Sequence, residues 1–110
     1  MFKVEILLDE EKIKEKGEYT PESIYKAIRE NFTQFNLLEI PTNDNTIVFR
    51  DRGHSRDYGG MWKGIITITD AVWCKPYLIK CMWYSDEEYE NGKLYSENVL
   101  ELSSKFKVNR

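Results

Sequence analysis

The stretch that most constrains the fold is Thr20–Phe35, where three independent helix-start signals precede a stripe at helical spacing. Thr20 offers an N-cap hydroxyl, Pro21 lacks only an N–H that a first turn leaves unpaired, and Glu22 complements the helix dipole. Ile24, Ile28, Phe32 and Phe35 then fall on one face with Tyr25 and Ala27 beside them. Such a stripe belongs to a core, so a helix down to about Phe35 needs a second layer to cover it.

Strand-like runs supply that layer. Phe2–Leu8 sets Phe2, Val4, Ile6 and Leu8 against Lys3 and Glu5, an amphipathic strand. Asp9–Lys16 is charged with one isoleucine and reads as a solvated connector with at most a helical turn, ended by Gly17. Leu37–Ile40 reads as a short strand, and Pro41–Asn45 as a turn. Thr46–Arg52 and Met61–Asp70 both alternate with period two, which predicts a hairpin across a long Gly53–Gly60 loop. In a symmetric register Asp51 faces Trp62, Phe49 faces Gly64, and Arg50 lies opposite Lys63. The bare Gly64 then leaves room for the Phe49 ring.

Further on, Tyr77–Tyr84 is apolar on both faces except at Lys80, as expected of the middle strand of a sheet. Tyr95, Val99, Leu102 and Phe106 share one helical face, with a strand at Lys105–Val108 as the competing reading. The expected fold is α+β: an antiparallel sheet of four or five strands, with a helix in the first half and another at the C-terminus on one face. The expected order is β-α-β-β-β-α. The other face, carrying Lys3, Glu5, Thr46, Val48, Arg50, Lys63, Ile65 and Thr67, is expected to be partly open.

With 110 residues, 41% of them apolar and 14% aromatic, the chain reads as a single domain over residues 1–110 with one core. A net charge of −3 argues against a general DNA binder, whose footprint is basic. The opening MFKVEILLDEEK lacks the apolar core of a signal peptide, and no apolar run has the length to span a bilayer. These features predict a soluble, cytoplasmic protein without a membrane partner. Cys74 and Cys81 form no CxxC pattern and read as small buried thiols, so no metal or cofactor is expected. Ser85–Gly92 is acidic, but its glycine stands one position late for a calcium loop, which leaves a plain acidic turn or helix cap.

Chemistry concentrates in Arg50–Lys63, RDRGHSRDYGGMWK, which holds the only histidine. Arg50, Arg52, Arg56 and Lys63 are candidate anion donors, although Gly59-Gly60 lacks P-loop spacing. His54, with Asp51 or Asp57 orienting it and Tyr58 as auxiliary, is a candidate acid–base group for phosphodiester cleavage. Asp51 and Asp57 can equally neutralise the arginines. Tyr58, Trp62 and Trp73 are candidate interface residues, because tryptophan, tyrosine and arginine dominate binding energy at interfaces.

FKVEILLDEEKIKEKGEY and DAVWCKPYLIKCMWYSDEE resemble segments of a group of short bacterial proteins that carries no assigned activity. The resemblance covers about half the chain, has no counterpart for Arg50–Lys63, and implies no function. The leading expectation is a non-enzymatic interaction or accessory protein that binds another protein or itself, a homodimer being one form. The alternatives are an anion, nucleotide or RNA-phosphate binder at Arg50–Lys63, and a His54-dependent phosphodiesterase or RNase.

Overall fold

In the computed structural model, residues 2–90 and 93–100 are described, with side chains described through Ser85 and again at Ser96 and Asn98–Leu100. Strand β1 (Phe2–Leu8) leads into two helices, α1 (Glu10–Lys16) and α2 (Pro21–Thr33), and then into short strands β2 (Leu38–Ile40) and β3 (Ile47–Arg50). Helix α3 (Asp57–Asp70) and a 3₁₀ turn at Lys75–Tyr77 precede a closing hairpin, β4 (Leu78–Glu90) and β5 (Lys93–Asn98). The strands form one antiparallel sheet in the order β2-β3-β1-β4-β5, so the class is α+β, as expected.

The alternation of β1 decides which side of the sheet is dry. Val4 pairs with Phe49 and Trp83, and Ile6 with Ile47 and Cys81, so these side chains share the inner face. Onto it the helices bury Ile13 of α1, Ile24, Ile28 and Phe32 of α2, and Met61, Ile65 and Ile68 of α3, all in one cluster. Phe32 stacks on Phe49 with ring centroids 5.0 Å apart.

Local signals explain the two N-terminal helices. The Thr20 hydroxyl accepts the Ser23 amide at 3.2 Å, the cap expected from Thr20-Pro21-Glu22. Asp9–Lys16, expected to be a connector, is instead a helix. Asp9 caps it by accepting the Lys12 amide at 3.1 Å, and Gly17 closes it in the left-handed region at φ 70°. Its lone isoleucine, Ile13, is fully buried. The Lys12 ammonium donates to the Pro76 carbonyl at 2.9 Å and the Asp9 amide to the Tyr77 carbonyl at 2.7 Å. These bonds pin α1 to the turn before β4.

The main correction concerns Met61–Asp70, expected to be a strand. It is the body of α3, so the hairpin with Thr46–Arg52 does not exist. Its buried positions, Asp57, Met61, Gly64, Ile65, Ile68 and Thr69, recur with the helical period. Gly64 does admit a phenyl ring, but that ring is Phe32: a Cβ at Gly64 would lie 2.6 Å from its edge.

β3 therefore takes β1 and β2 as its partners. β4 is flanked by β1 and β5, while β1, not β4, is the middle strand. A bulge between Leu7 and Leu8 leaves Ile79 of β4 unmatched and exposed. Ser85–Gly92, expected to be an acidic turn or helix cap, continues β4 as far as Glu90, and Tyr95, expected in a helix, lies in β5. Val99, expected on the same face, is helical together with Leu100 and buried in the core, whereas Leu102, Phe106 and the alternative strand at Lys105–Val108 lie outside the described residues.

Candidate functional site

The segment Arg50–Asp57 carries the chain from β3 to α3, and its two acids hold it in shape. Asp51 exchanges bonds with the start of β1. Its amide donates to the Phe2 carbonyl at 3.1 Å, and its Oδ1 accepts the Phe2 amide at 3.1 Å. Its Oδ2 accepts the Gly53 amide at 3.2 Å, where the chain turns through φ 89°, a conformation suited to glycine. Asp57 Oδ2 accepts the amides of Arg52 at 2.8 Å and His54 at 3.2 Å, and the Asp57 amide donates back to the His54 carbonyl at 3.0 Å. Both carboxylates are buried. They meet loop amides rather than guanidinium groups.

The basic side chains are left to the solvent side. Arg52, His54 and Arg56 are exposed and, with Asn36 and Asp57, line a cleft of about 260 Å³. Arg52 Nε donates at 2.6 Å to the carbonyl of Asn36, which stands in the left-handed region at φ 62° just past α2. The ion pairs among the described residues are Lys3–Glu5, Lys26–Glu30, Arg29–Glu39 and Lys80–Glu5, and none involves Arg52 or Arg56. Arg50 and Lys63 do not join this group. Arg50 pairs in register with Lys3 and Leu38 on the outer sheet face, and Lys63 lies on the exposed side of α3, so their expected juxtaposition is removed with the hairpin. The sequence reading missed Asn36. Its signal was an asparagine just past a helix end, where the left-handed conformation is tolerated.

The interface candidates are distributed along and beyond α3. Tyr58 sets its ring edge-on to Phe2 at 5.3 Å and to Trp83 at 6.0 Å, and Trp62 lies tilted on Trp83 at 5.2 Å. Tyr58 remains 46% exposed. Trp62 and Trp73 are half-buried against the core, so part of each ring serves packing.

The outer sheet face is the larger feature. By register it carries Lys3, Glu5 and Leu7 of β1, Val48 and Arg50 of β3, Leu38 and Ile40 of β2, Lys80, Met82 and Tyr84 of β4, and Ser96 and Asn98 of β5. No buried helical apolar residue joins it, since all of these belong to the inner cluster. Lys3, Glu5, Val48 and Arg50 stand there as expected, whereas Lys63, Ile65 and Thr67 belong to α3. Lys80 approaches Glu5 at 3.1 Å, Lys3 approaches it at 3.9 Å, and the Lys3 ammonium sits 4.9 Å from the Tyr84 ring centre. Burial pushes the Glu5 carboxyl up, but the Tyr84 hydroxyl and the two ammonium groups outweigh it and hold its pKa below the ordinary value. Burial, with the bond to Glu5, pushes Tyr84 up to about 12.

A second cleft of about 270 Å³, lined by residues that include Tyr25, Arg29, Glu39, Asp44 and Thr46, has its charges committed. Arg29 Nε meets both Glu39 oxygens at 3.1 Å, and Asp44 accepts the Thr46 amide at 2.8 Å. Cys74 and Cys81 are buried free thiols, and no group of metal-ligating side chains occurs among the described residues. No described helix is long and apolar enough to cross a membrane. No family model, curated protein or solved structure matches the chain.

Proposed function

We propose that the chain is a non-enzymatic interaction module that binds another protein, or a second copy of itself, through the outer face of its sheet. The observation that carries this reading is the one-sided packing: the helices bury their apolar residues on the inner face, leaving Leu38 exposed and Leu7, Ile40, Met82 and Tyr84 half-buried on the other, around a buried Val48. Interleaved with these are Lys3, Glu5, Arg50 and Lys80, and a face that mixes apolar area with charge has the make-up of a docking face. Three cations against Glu5 favour an acidic partner surface. The half-exposed Tyr58 edge lies on the opposite layer and is not needed for this contact.

Light scattering behind size exclusion, run over a hundredfold concentration range, tests the self-binding form. The wild type is expected to gain mass with concentration, and the Leu38→Arg/Met82→Arg variant to stay at one mass. For binding to another protein, a photocrosslinking residue replaces Met82 in cells, with the same residue at Lys63 as control. A protein of constant mass whose Met82 position captures no more than Lys63 overturns the reading.

A further inference from the structure

We infer that the cleft between the end of α2 and the start of α3 is a binding site for a phosphoryl group, held by Arg52, His54 and Arg56. This inference is independent of the sheet-face reading, because the cleft involves none of the outer-face residues.

A surface arginine near an aspartate is ordinarily neutralised by it, and RDRGHSRD offers two aspartates among three arginines. Here both carboxylates turn inward: Asp51 holds the Phe2 and Gly53 amides, and Asp57 holds those of Arg52 and His54. Turning inward, they shape the loop so that two guanidinium groups and an imidazole surround one depression. Arg56 has no ion pair among the described residues, and Arg52 uses only its Nε on the Asn36 carbonyl. That bond fixes the guanidinium plane while leaving its terminal nitrogens to a ligand.

The chemistry of the donors selects the ligand class. Two guanidinium forks and an imidazole offer N–H groups from three side chains, which suits a tetrahedral oxyanion with three free oxygens better than a flat carboxylate. Asp57, the one acid of the lining, is buried, and its Oδ2 accepts the Arg52 and His54 amides, so its charge is offset in part by the loop backbone and outnumbered by the two guanidinium groups. The cleft is smaller than the roughly 300–1,000 Å³ of a pocket that encloses a drug-sized ligand. It therefore takes a phosphoryl head and leaves the remainder of the molecule in solvent.

The test is isothermal titration, with amide chemical shifts as a second readout, using inorganic phosphate, ribose 5-phosphate and acetate against a chloride background of matched ionic strength. Saturable phosphate binding is expected, with amide shifts centred on Arg52–Asp57. Arg56→Gln is expected to weaken it about tenfold or more, the worth of a charge-assisted hydrogen bond. Lys63→Gln, which removes one charge from the same helix outside the cleft, is expected to leave binding within a factor of two. Tighter binding of ribose 5-phosphate than of inorganic phosphate identifies a phosphate monoester as the natural ligand, and equal binding identifies the free ion. Either supports the site. Absence of saturable phosphate binding at millimolar concentrations, acetate binding as tight as phosphate, or equal weakening by Lys63→Gln overturns it. Because Arg56 is exposed and makes no ion pair among the described residues, its replacement leaves the fold intact, and a thermal melt verifies this.

Discussion

A single hydrogen atom sets how closely α2 and α3 approach. At Gly64 a Cβ would stand 2.6 Å from the Phe32 ring, and at Gly60 one would stand 3.0 Å from the Phe35 Cβ. The Asn31 side-chain amide donates to the Gly64 carbonyl at 2.9 Å, a buried bond possible only because the backbones lie this close. Phe32 cannot give way easily, since it is fully buried and stacked on Phe49. Gly64→Ala is thus expected to destabilise the protein by about 1–3 kcal/mol, the usual cost of overpacking, despite alanine's better helix propensity. At Gly59, one turn earlier, a Cβ would meet nothing within 4 Å. Gly59→Ala is expected to stabilise by up to about 1 kcal/mol. Thermal melts of the two variants should move in opposite directions, and a downward shift for Gly59→Ala or none for Gly64→Ala would refute this account of the contact.

At the scale of elements, α3 shows where the sequence was legible and where it was not. The helix at Pro21–Thr33 could be read because a cap, a proline and an apolar stripe agreed, and the structure uses all three. In Met61–Asp70 two periods compete. Ile66 and Ile68 alternate with Thr67 and Thr69, a strand pattern built from β-branched residues, while Met61, Gly64, Ile65 and Ile68 keep helical spacing. Burial in the tertiary fold settles the matter: the helical set packs inside, Ile66 is left 58% exposed, and the Thr67 and Thr69 hydroxyls bond back to carbonyls four residues earlier. The candidate site was legible in its residue types but not in its grouping. Composition marked Arg52, His54 and Arg56, yet only the direction of the chain after β3 separates them from Arg50 and Lys63. Asp57 fixes that direction, because its carboxylate gathers two amides of the incoming loop onto the first turn of α3. Asp57→Ala leaves those amides without their acceptor and is expected to cost about 1–3 kcal/mol. Asp57→Asn keeps an acceptor oxygen and should cost less. Denaturant titration of both variants checks the order, and equal losses would mean that the negative charge, not the acceptor, is what the loop needs.

The molecule as a whole has one dry layer and one sheet face of mixed apolar and charged residues, and both lead to the same response to alkali. In the dry layer, burial pushes Cys74 up to about 12, and burial together with the neighbouring Cys74 does the same to Cys81, from an ordinary thiol value of 9.0. On the outer face Tyr84 is raised from 10.0 to about 12, and beside α1 burial and Glu10 raise Tyr25 equally. Every one of these groups binds its proton more tightly when folded, so between the two pKa values the folded state holds more protons than the unfolded state. Stability must then fall with rising pH. The contribution is complete well below pH 9, the value at which the unfolded thiols are half ionised, and it is lost progressively as pH rises towards 12. Glu5 acts in the opposite window. Its folded pKa is depressed, so its contribution is present above the ordinary carboxylate range and is lost as pH falls through the folded value. Tyr84→Phe separates the layers. It removes the outer-face phenol, leaves the thiols, and deprives Glu5 of one hydrogen bond, so the acid limb should move upward in pH while a thiol-driven alkaline limb persists. Urea midpoints at one-unit intervals from pH 3 to 11, with a thiol reagent reporting exposure of Cys74 and Cys81, distinguish the two effects. A wild-type midpoint that stays flat from pH 8 to 11 would show that the buried thiols and phenols do not titrate with unfolding. An alkaline limb abolished by Tyr84→Phe would place the effect on the sheet face alone.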